Sequence, residues 1–271
     1  MLYAGLVIIG MVAGTWGSII GAGGGFILVP LLLFLFPEAS PSVCTAISLF
    51  AVLATGLSAT MAYARLKRID YSMGILFAVA GIPTAVLGVL TVVTLTRTFF
   101  QVFFACLLIV VAFYLAFRRR GYTNNPEKAP RGSIPRSLVD RNGISYHYTV
   151  NFKLGTVITF CVGFLSSLFG IGGGLLNVPA MITILQIPVH VASATSQFIL
   201  AVTSATAVST HAVRGTLISG EWVYALLCAV GTIVGAQLGA RISGRLTGTV
   251  IARLLSLTLA GLGIRLLWSA F

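Results

Sequence analysis

The chain has 271 residues, 58% of them hydrophobic and 8% charged, with a mean hydropathy of +1.03. A soluble domain carries roughly 25% charged residues, so a water-soluble fold of this size is excluded, and long uncharged runs in place of short alternating strands exclude a transmembrane barrel. The net charge of +12 does not point to nucleic acid, because eight of the 17 basic residues crowd between Arg118 and Lys153, the mark of a cytoplasmic loop under the positive-inside rule.

The first run, "MLYAGLVIIGMVAGTWGSII", has no basic residue ahead of its apolar stretch and reads as a membrane segment over about 4–20, not as a signal peptide. It meets "GAGGGFILVP" at 21–30, a string of helix breakers followed by a short apolar run that ends near its proline. Next come a Ser/Thr/Ala-rich helix over 42–64, a basic turn, an uncharged helix over 72–95 with spaced glycines, and a closing helix over 98–117. Each long run is sufficient to cross about 30 Å of hydrocarbon. Residues 118–153 hold prolines, glycines and the eight cations with no helical period, and read as a basic cytoplasmic linker loop. Then the order repeats: a helix over 154–169, "GIGGGLLNVP" at 170–179, and helices over 191–213, 221–244 and 250–270. The two breakers lie 149 positions apart (179 minus 30), and Tyr63 aligns with His211 when one residue is deleted.

The fold class is therefore an all-α polytopic membrane protein of two repeated helical halves, 1–117 and 154–271, with glycine-broken helices and a pseudo-two-fold relation between the halves. It sits as a multi-pass protein in the cell (inner or plasma) membrane. If both arms of each broken unit cross the bilayer, or neither does, the repeats are inverted; if only the long arm crosses, they are parallel. The charge map favours inversion by one residue, which places Arg97, Arg214 and Arg265 outside.

Unwound backbone inside lipid is tolerated only against protein or a water-filled cavity, since each unpaired N–H or C=O costs several kcal/mol. Amides at the start of a half-helix also favour negative charge. Two such ends facing one cavity would bind a small anion without a buried cation. The candidate substrate-binding residues are Gly21, Gly23, Gly24 and Gly25 with Ser48 in the first half. In the second they are Gly170, Gly172, Gly173, Gly174, Asn177, Ser193, Thr195, Ser196 and Gln197. Ser48 and the Ser193–Gln197 run read as starts of the third helices, which would add N–H donors. His211, Arg214 and Gln237 are candidates for gating or coupling. Isolated glycines such as Gly88, Gly235 and Gly239 read as helix-packing positions. Trp16, Trp222 and Trp268 read as interface anchors.

The acids Glu38, Asp70, Glu127, Asp140 and Glu221 all fall at turns or segment ends, so coupling through a mid-membrane carboxylate is not expected. Facilitated export and proton symport through histidine or the anion both stay open. Cys44, Cys106, Cys161 and Cys228 form no CxxC pair and indicate neither a disulfide nor a metal site. No cofactor is indicated, and homo-oligomerisation stays open.

The chain resembles the TauE/SafE family of sulfite and organosulfonate exporters, also called the toluenesulfonate uptake permease family. The doubled glycine motif carries the likeness, together with "AISL", "SATSQ", "HAVRGTL" and "GAQLGARI". The resemblance implies an inner-membrane permease of seven to nine or so helices that moves sulfite, sulfoacetate, thiosulfate or related small anions. Tyr63 stands where the family often has His, and the central loop is longer than in many members. The reading is a secondary transporter of a small anion, with access alternating as one half moves against the other. The alternative is a non-transporting membrane subunit or a membrane enzyme; no nucleophile–base pair or paired carboxylates point to an enzyme.

Overall fold

A computed structural model describes residues 2–20, 23–117, 133–243 and 248–270. The first half holds α1 (Leu2–Ile20), α2 (Gly25–Leu35), α3 (Pro41–Arg65), α4 (Tyr71–Thr94) and α5 (Arg97–Phe117). A two-stranded hairpin follows, β1 (Ile134–Val139) and β2 (Ser145–Val150). The second half holds α6 (Phe152–Phe169), α7 (Gly174–Thr183), α8 (Val189–Val213), α9 (Ser219–Ser243) and α10 (Gly248–Ala270). Among the described residues, α3, α4, α5, α6, α8 and α9 are long and apolar enough to cross a membrane.

The short helices run through their prolines, where the sequence suggested an end. α2 continues past Pro30 to Leu35, and α7 past Pro179 to Thr183. Each proline sits in the middle of its short helix and removes one ladder bond. Without water to compete, the helix is still the best partner for the remaining amides. At the end of α2, Arg97 donates to the carbonyls of Leu33 (2.5 Å), Ala39 (2.9 Å), Phe36 (3.3 Å) and Pro37. A cation there answers the negative end of the helix dipole. At the end of α7, Gln186 Nε2 donates to Thr183 O at 2.7 Å.

α2 doubles back along α1. A Cβ built on Gly24 would stand 2.6 Å from Ala13 O, so α2 starts beside the middle of α1. Phe36, just beyond α2, stacks on Tyr224 at 5.5 Å, and Tyr3, at the start of α1, lies 6.4 Å from the same ring. Both ends of the broken unit therefore reach one end of the molecule. The second unit repeats this: Phe152 and Leu154 pack in one cluster with Met181, Ile182 and Leu185. The first broken unit thus opens toward the end with Phe36 and the second toward the hairpin end. Arg97, Arg214 and Arg265 lie at the end with Phe36, and Arg65, Lys67 and Arg68 lie at the hairpin end.

Helices find their partners in the other half. α1 packs along α9 and α6 along α4; α3 crosses α8, and α5 pairs with α10. Exchanging the halves, α1 for α6 through α5 for α10, leaves this set of pairs unchanged. The α1–α9 seam is built on glycine. A Cβ on Gly10, Gly14, Gly231, Gly235 or Gly239 would come closer than 3.0 Å to backbone of the facing helix, so the two backbones touch. Gly88 meets Phe164 O of α6 in the same way.

The hairpin, absent from the sequence reading, is pinned over the turn between α3 and α4. Asp140 accepts from Arg68 at 3.0 Å, and the Arg141 amide donates to Leu66 O at 3.0 Å. Asp70 caps α4 by accepting from the Met73 amide at 3.2 Å. It also accepts from Arg136 at 2.8 Å and from the Tyr148 hydroxyl at 2.8 Å. Its own amide donates to Thr195 Oγ1 of α8 at 3.1 Å. Burial pushes the Asp70 carboxyl upward, but hydrogen bonds from Arg136, Tyr148 and Met73 outweigh it and hold the group below its ordinary value.

Candidate functional site where the two breakers meet

The breakers, 149 positions apart in sequence, touch in the centre of the molecule. A Cβ on Gly25 would stand 2.6 Å from Gly170 O and 2.8 Å from Ile171 O. Left-handed backbone makes the reversals: φ is +80° at Gly23, +79° at Gly24, +68° at Gly170 and +67° at Gly172. Any L side chain at these positions would be strained, which is why glycine is needed there. Gly173 has ordinary helical angles (φ −58°, ψ −15°). Left-handed then right-handed residues in succession turn neighbouring amides toward one point, a geometry that favours anions.

α7 starts at Gly174, and its first ladder bonds are Leu176 N and Asn177 N to Gly173 O, at 3.2 and 2.7 Å. The amides of Gly172, Gly173, Gly174 and Leu175 donate to no acceptor among the described residues. All four residues are buried. Asn177, 2% exposed, folds its side chain over this start: a Cβ on Gly173 would lie 2.9 Å from Asn177 Nδ2 and 3.9 Å from Ser166 Oγ. Asn177 Oδ1 and Ser196 Oγ are buried without a hydrogen-bond partner among the described residues. The equivalent start of α2 is plainer, with Ile27 N and Leu28 N on Gly24 O and Leu28 in the place of Asn177. In this conformation the site is shut. Val52 of α3 and Leu200 of α8 both press on Gly23 and on Gly172.

Several candidates take other places. Ser48 and Ser196 do not begin their helices: α3 and α8 start seven residues earlier (48 minus 41, 196 minus 189), because Pro41 and Pro188 preset the start. Their backbone amides belong to the helix ladder and are not free donors. The Ser48 hydroxyl donates to Gly170 O at 2.6 Å, so it fixes the second breaker. Thr195 receives the Asp70 amide, Ser193 is half-buried, and Gln197 is buried with a partner. Gln237 is exposed on the α9 face that carries Val230, Val234 and Leu238, away from the breakers. His211 and Arg214 sit at the far end of α8, about 22 and 27 Å from Ser196 along the helix axis. His211 is 1% exposed, with Nδ1 sharing a hydrogen bond with Thr216 at 3.1 Å and Nε2 unpartnered among the described residues. Gly21 lies outside the described residues. Sequence reading missed Ser166, Val52 and Leu200. Ser166 had a signal, since it stands four residues before the second breaker where the first half has Gly17.

The model of the sulfite exporter TauE/SafE family matches residues 6–266. The "Probable membrane transporter protein YunE" of Bacillus subtilis (strain 168) is 38% identical over 237 residues, 85% of each chain. A probable membrane transporter protein of Methanocaldococcus jannaschii is 28% identical over 205 residues, 73% of this chain and 68% of its own. No solved structure matches. These relatives are described as probable membrane transporters, and the chain belongs to the TauE/SafE sulfite exporter family.

Proposed function

We propose that the chain is a secondary transporter that carries a small sulfur oxyanion or sulfonate across the membrane and binds it at the start of α7. The observation that carries this reading is the buried group of amides from Gly172 to Leu175, which lack an acceptor among the described residues, with the Asn177 side chain folded over them. An oxyanion supplies several acceptor oxygens to such a group, and a helix start favours its charge. The family's description supports sulfite or a relative as the cargo. A pseudo-two-fold axis in the membrane plane relates the halves, and the hairpin end faces the cytoplasm, which keeps Arg214 outside. Val52 and Leu200 must part for the anion to enter.

Purified protein in liposomes tests this by flux of radiolabelled sulfite or a sulfonate, with acetate as the competing class. Gly173→Ala is the informative variant. Its backbone angles suit alanine, and the new methyl is crowded by the end of the Asn177 side chain, with Ser166 Oγ at ordinary contact distance. Flux should fall at least about tenfold as the amide group is blocked. Unchanged flux in Gly173→Ala, or a preference for acetate, would overturn the reading. Gly24→Val is a poor probe, because its Cβ meets the α1 backbone and threatens folding.

A further inference from the structure

Six buried side-chain oxygens or nitrogens have no hydrogen-bond partner among the described residues, and three of them, Ser196 Oγ, Ser204 Oγ and His211 Nε2, belong to α8. A fourth, Asn177 Oδ1, stands over the start of α7. The three on α8 share one face. At about 100° of rotation per residue, Ser196, Ser204 and His211 all fall within about 40° of the direction of Leu200. That direction is toward the breakers, since Leu200 presses on Gly23 and Gly172. Exposure is 0% at Ser196, 2% at Ser204 and 1% at His211, so all three are closed off from lipid and bulk water in this conformation.

A hydroxyl within a helix ordinarily bonds back to its own backbone when it has no other partner. The threonines of α8 do so: Thr203 donates to Ile199 O at 3.0 Å, Thr206 to Val202 O at 3.0 Å and Thr210 to Thr206 O at 2.8 Å. Ser196 and Ser204 leave that bond unmade while facing inward. His211 Nδ1 is held by Thr216 at 3.1 Å. When the Thr216 hydroxyl donates there, the ring proton sits on Nε2, which becomes an inward donor. A buried polar group without a partner costs stability, and alanine or leucine would pack the same space without that cost. Anion oxygens, or the water that surrounds them, would satisfy all three groups. Their spacing suits successive stations, not a single site. About 12 Å separates Ser196 from Ser204 along the axis, and about 10 Å separates Ser204 from His211. Between the last two, Ala207 packs with Leu49 of α3 and Val89 of α4, which shut the way as Val52 and Leu200 do at the breakers.

We infer that the inward face of α8, from Ser196 past Leu200 and Ser204 to His211, is the anion's path between the breakers and the end away from the hairpin, with His211 Nε2 as its last donor. Which anion takes the path rests on the transport reading; that the face becomes wet does not. The test uses the full chain with the exposed Cys106 and Cys161 replaced by serine, and with Cys228, buried in the α1–α9 seam, kept as an internal reference. Ser204→Cys and Ala207→Cys are made separately, so that one variant remains informative if the other fails to fold. Each is treated in lipid nanodiscs with iodoacetamide, whose thioether resists sulfite, and peptide mass spectrometry times the modification. Each path cysteine should react at least about tenfold faster than Cys228, and in liposomes its modification should stop the flux of sulfite or a sulfonate. His211→Leu should raise KM for that anion at least about fivefold, and His211→Gln, which keeps an N–H near the place of Nε2, should bring it back to within about twofold. Path cysteines as slow as Cys228 in a protein that moves the anion would overturn the path, as would flux that survives their modification. An unchanged KM in His211→Leu, or equal losses in His211→Leu and His211→Gln, would overturn the donor role. Fast path cysteines in a protein that moves no sulfur anion would sink the transport reading and leave a wetted face standing.

Discussion

Asn177 and Leu28 occupy matching places in the two half-helices, yet only Asn177 brings an amide to the start of its helix. The two ends are thus similar in backbone and unequal in chemistry. Asn177→Leu copies the first half into the second with little change of volume. Removing one hydrogen bond to a charged ligand costs about 1.5–3 kcal/mol, so KM for the transported anion should rise roughly ten- to hundredfold. The measurement is a concentration series of initial flux in liposomes. An unchanged KM would mean that the amide only packs. Ser48 is the counter-case: its hydroxyl holds Gly170 O at 2.6 Å. Ser48→Ala should therefore lower thermal stability by about 1–3 kcal/mol through an unpaired buried carbonyl. Thermal unfolding would show the difference. The breakers themselves were plain in the sequence, because triple glycine has few roles inside lipid. How each hydroxyl was used was not, since a hydrogen-bond partner 122 positions away leaves no local trace.

At the scale of elements, the apolar runs gave helix positions to within about two residues, as with 42–64 against Pro41–Arg65 and 98–117 against Arg97–Phe117. The bilayer sets the length of an uncharged run, so its ends mark the helix. The hairpin escaped because its prolines and cations masked two signals: Asn142–Gly143 at the turn, and alternation along Tyr146, Tyr148 and Val150. Asp70 gives the hairpin a pH dependence. Its carboxyl is held below its ordinary value in the folded state, so the hairpin's anchoring is complete above the ordinary carboxylate range. It is lost as pH falls through the lowered folded value, when the proton displaces Arg136 and Tyr148. Hydrogen exchange of the β1 and β2 amides should speed up on acidification through that window. Asp70→Asn should show fast exchange at every pH. Slow, pH-independent exchange in Asp70→Asn would show that the apolar contacts of Tyr148 and Val150 suffice.

At the scale of the molecule, the repeat could be read from the chain but the exchange of partners could not. A glycine pattern shows that a helix has a close-packing face without naming the helix it will meet. The α1–α9 and α4–α6 seams join helices of opposite halves, with backbone against backbone along the first. A motion of residues 1–117 as one body against 154–271 would tear both seams. The moving bodies of a transport cycle should then be mixed ones, with α1 and α9 travelling together and α4 and α6 travelling together. Restraint by a disulfide from α1 to α9 should then leave flux intact, while one joining Val52 and Leu200 as cysteines should stop it. Oxidised and reduced flux in the same liposomes makes the comparison.

The swapped seams also bear on how the protein comes into being. As the ribosome releases α1, the surface that α1 needs has not yet been made, and it will not exist until α9 emerges some two hundred residues later. The first half must wait in the bilayer with its glycine face open, so a gene cut within 121–130 should yield two pieces that are degraded alone and survive when made together.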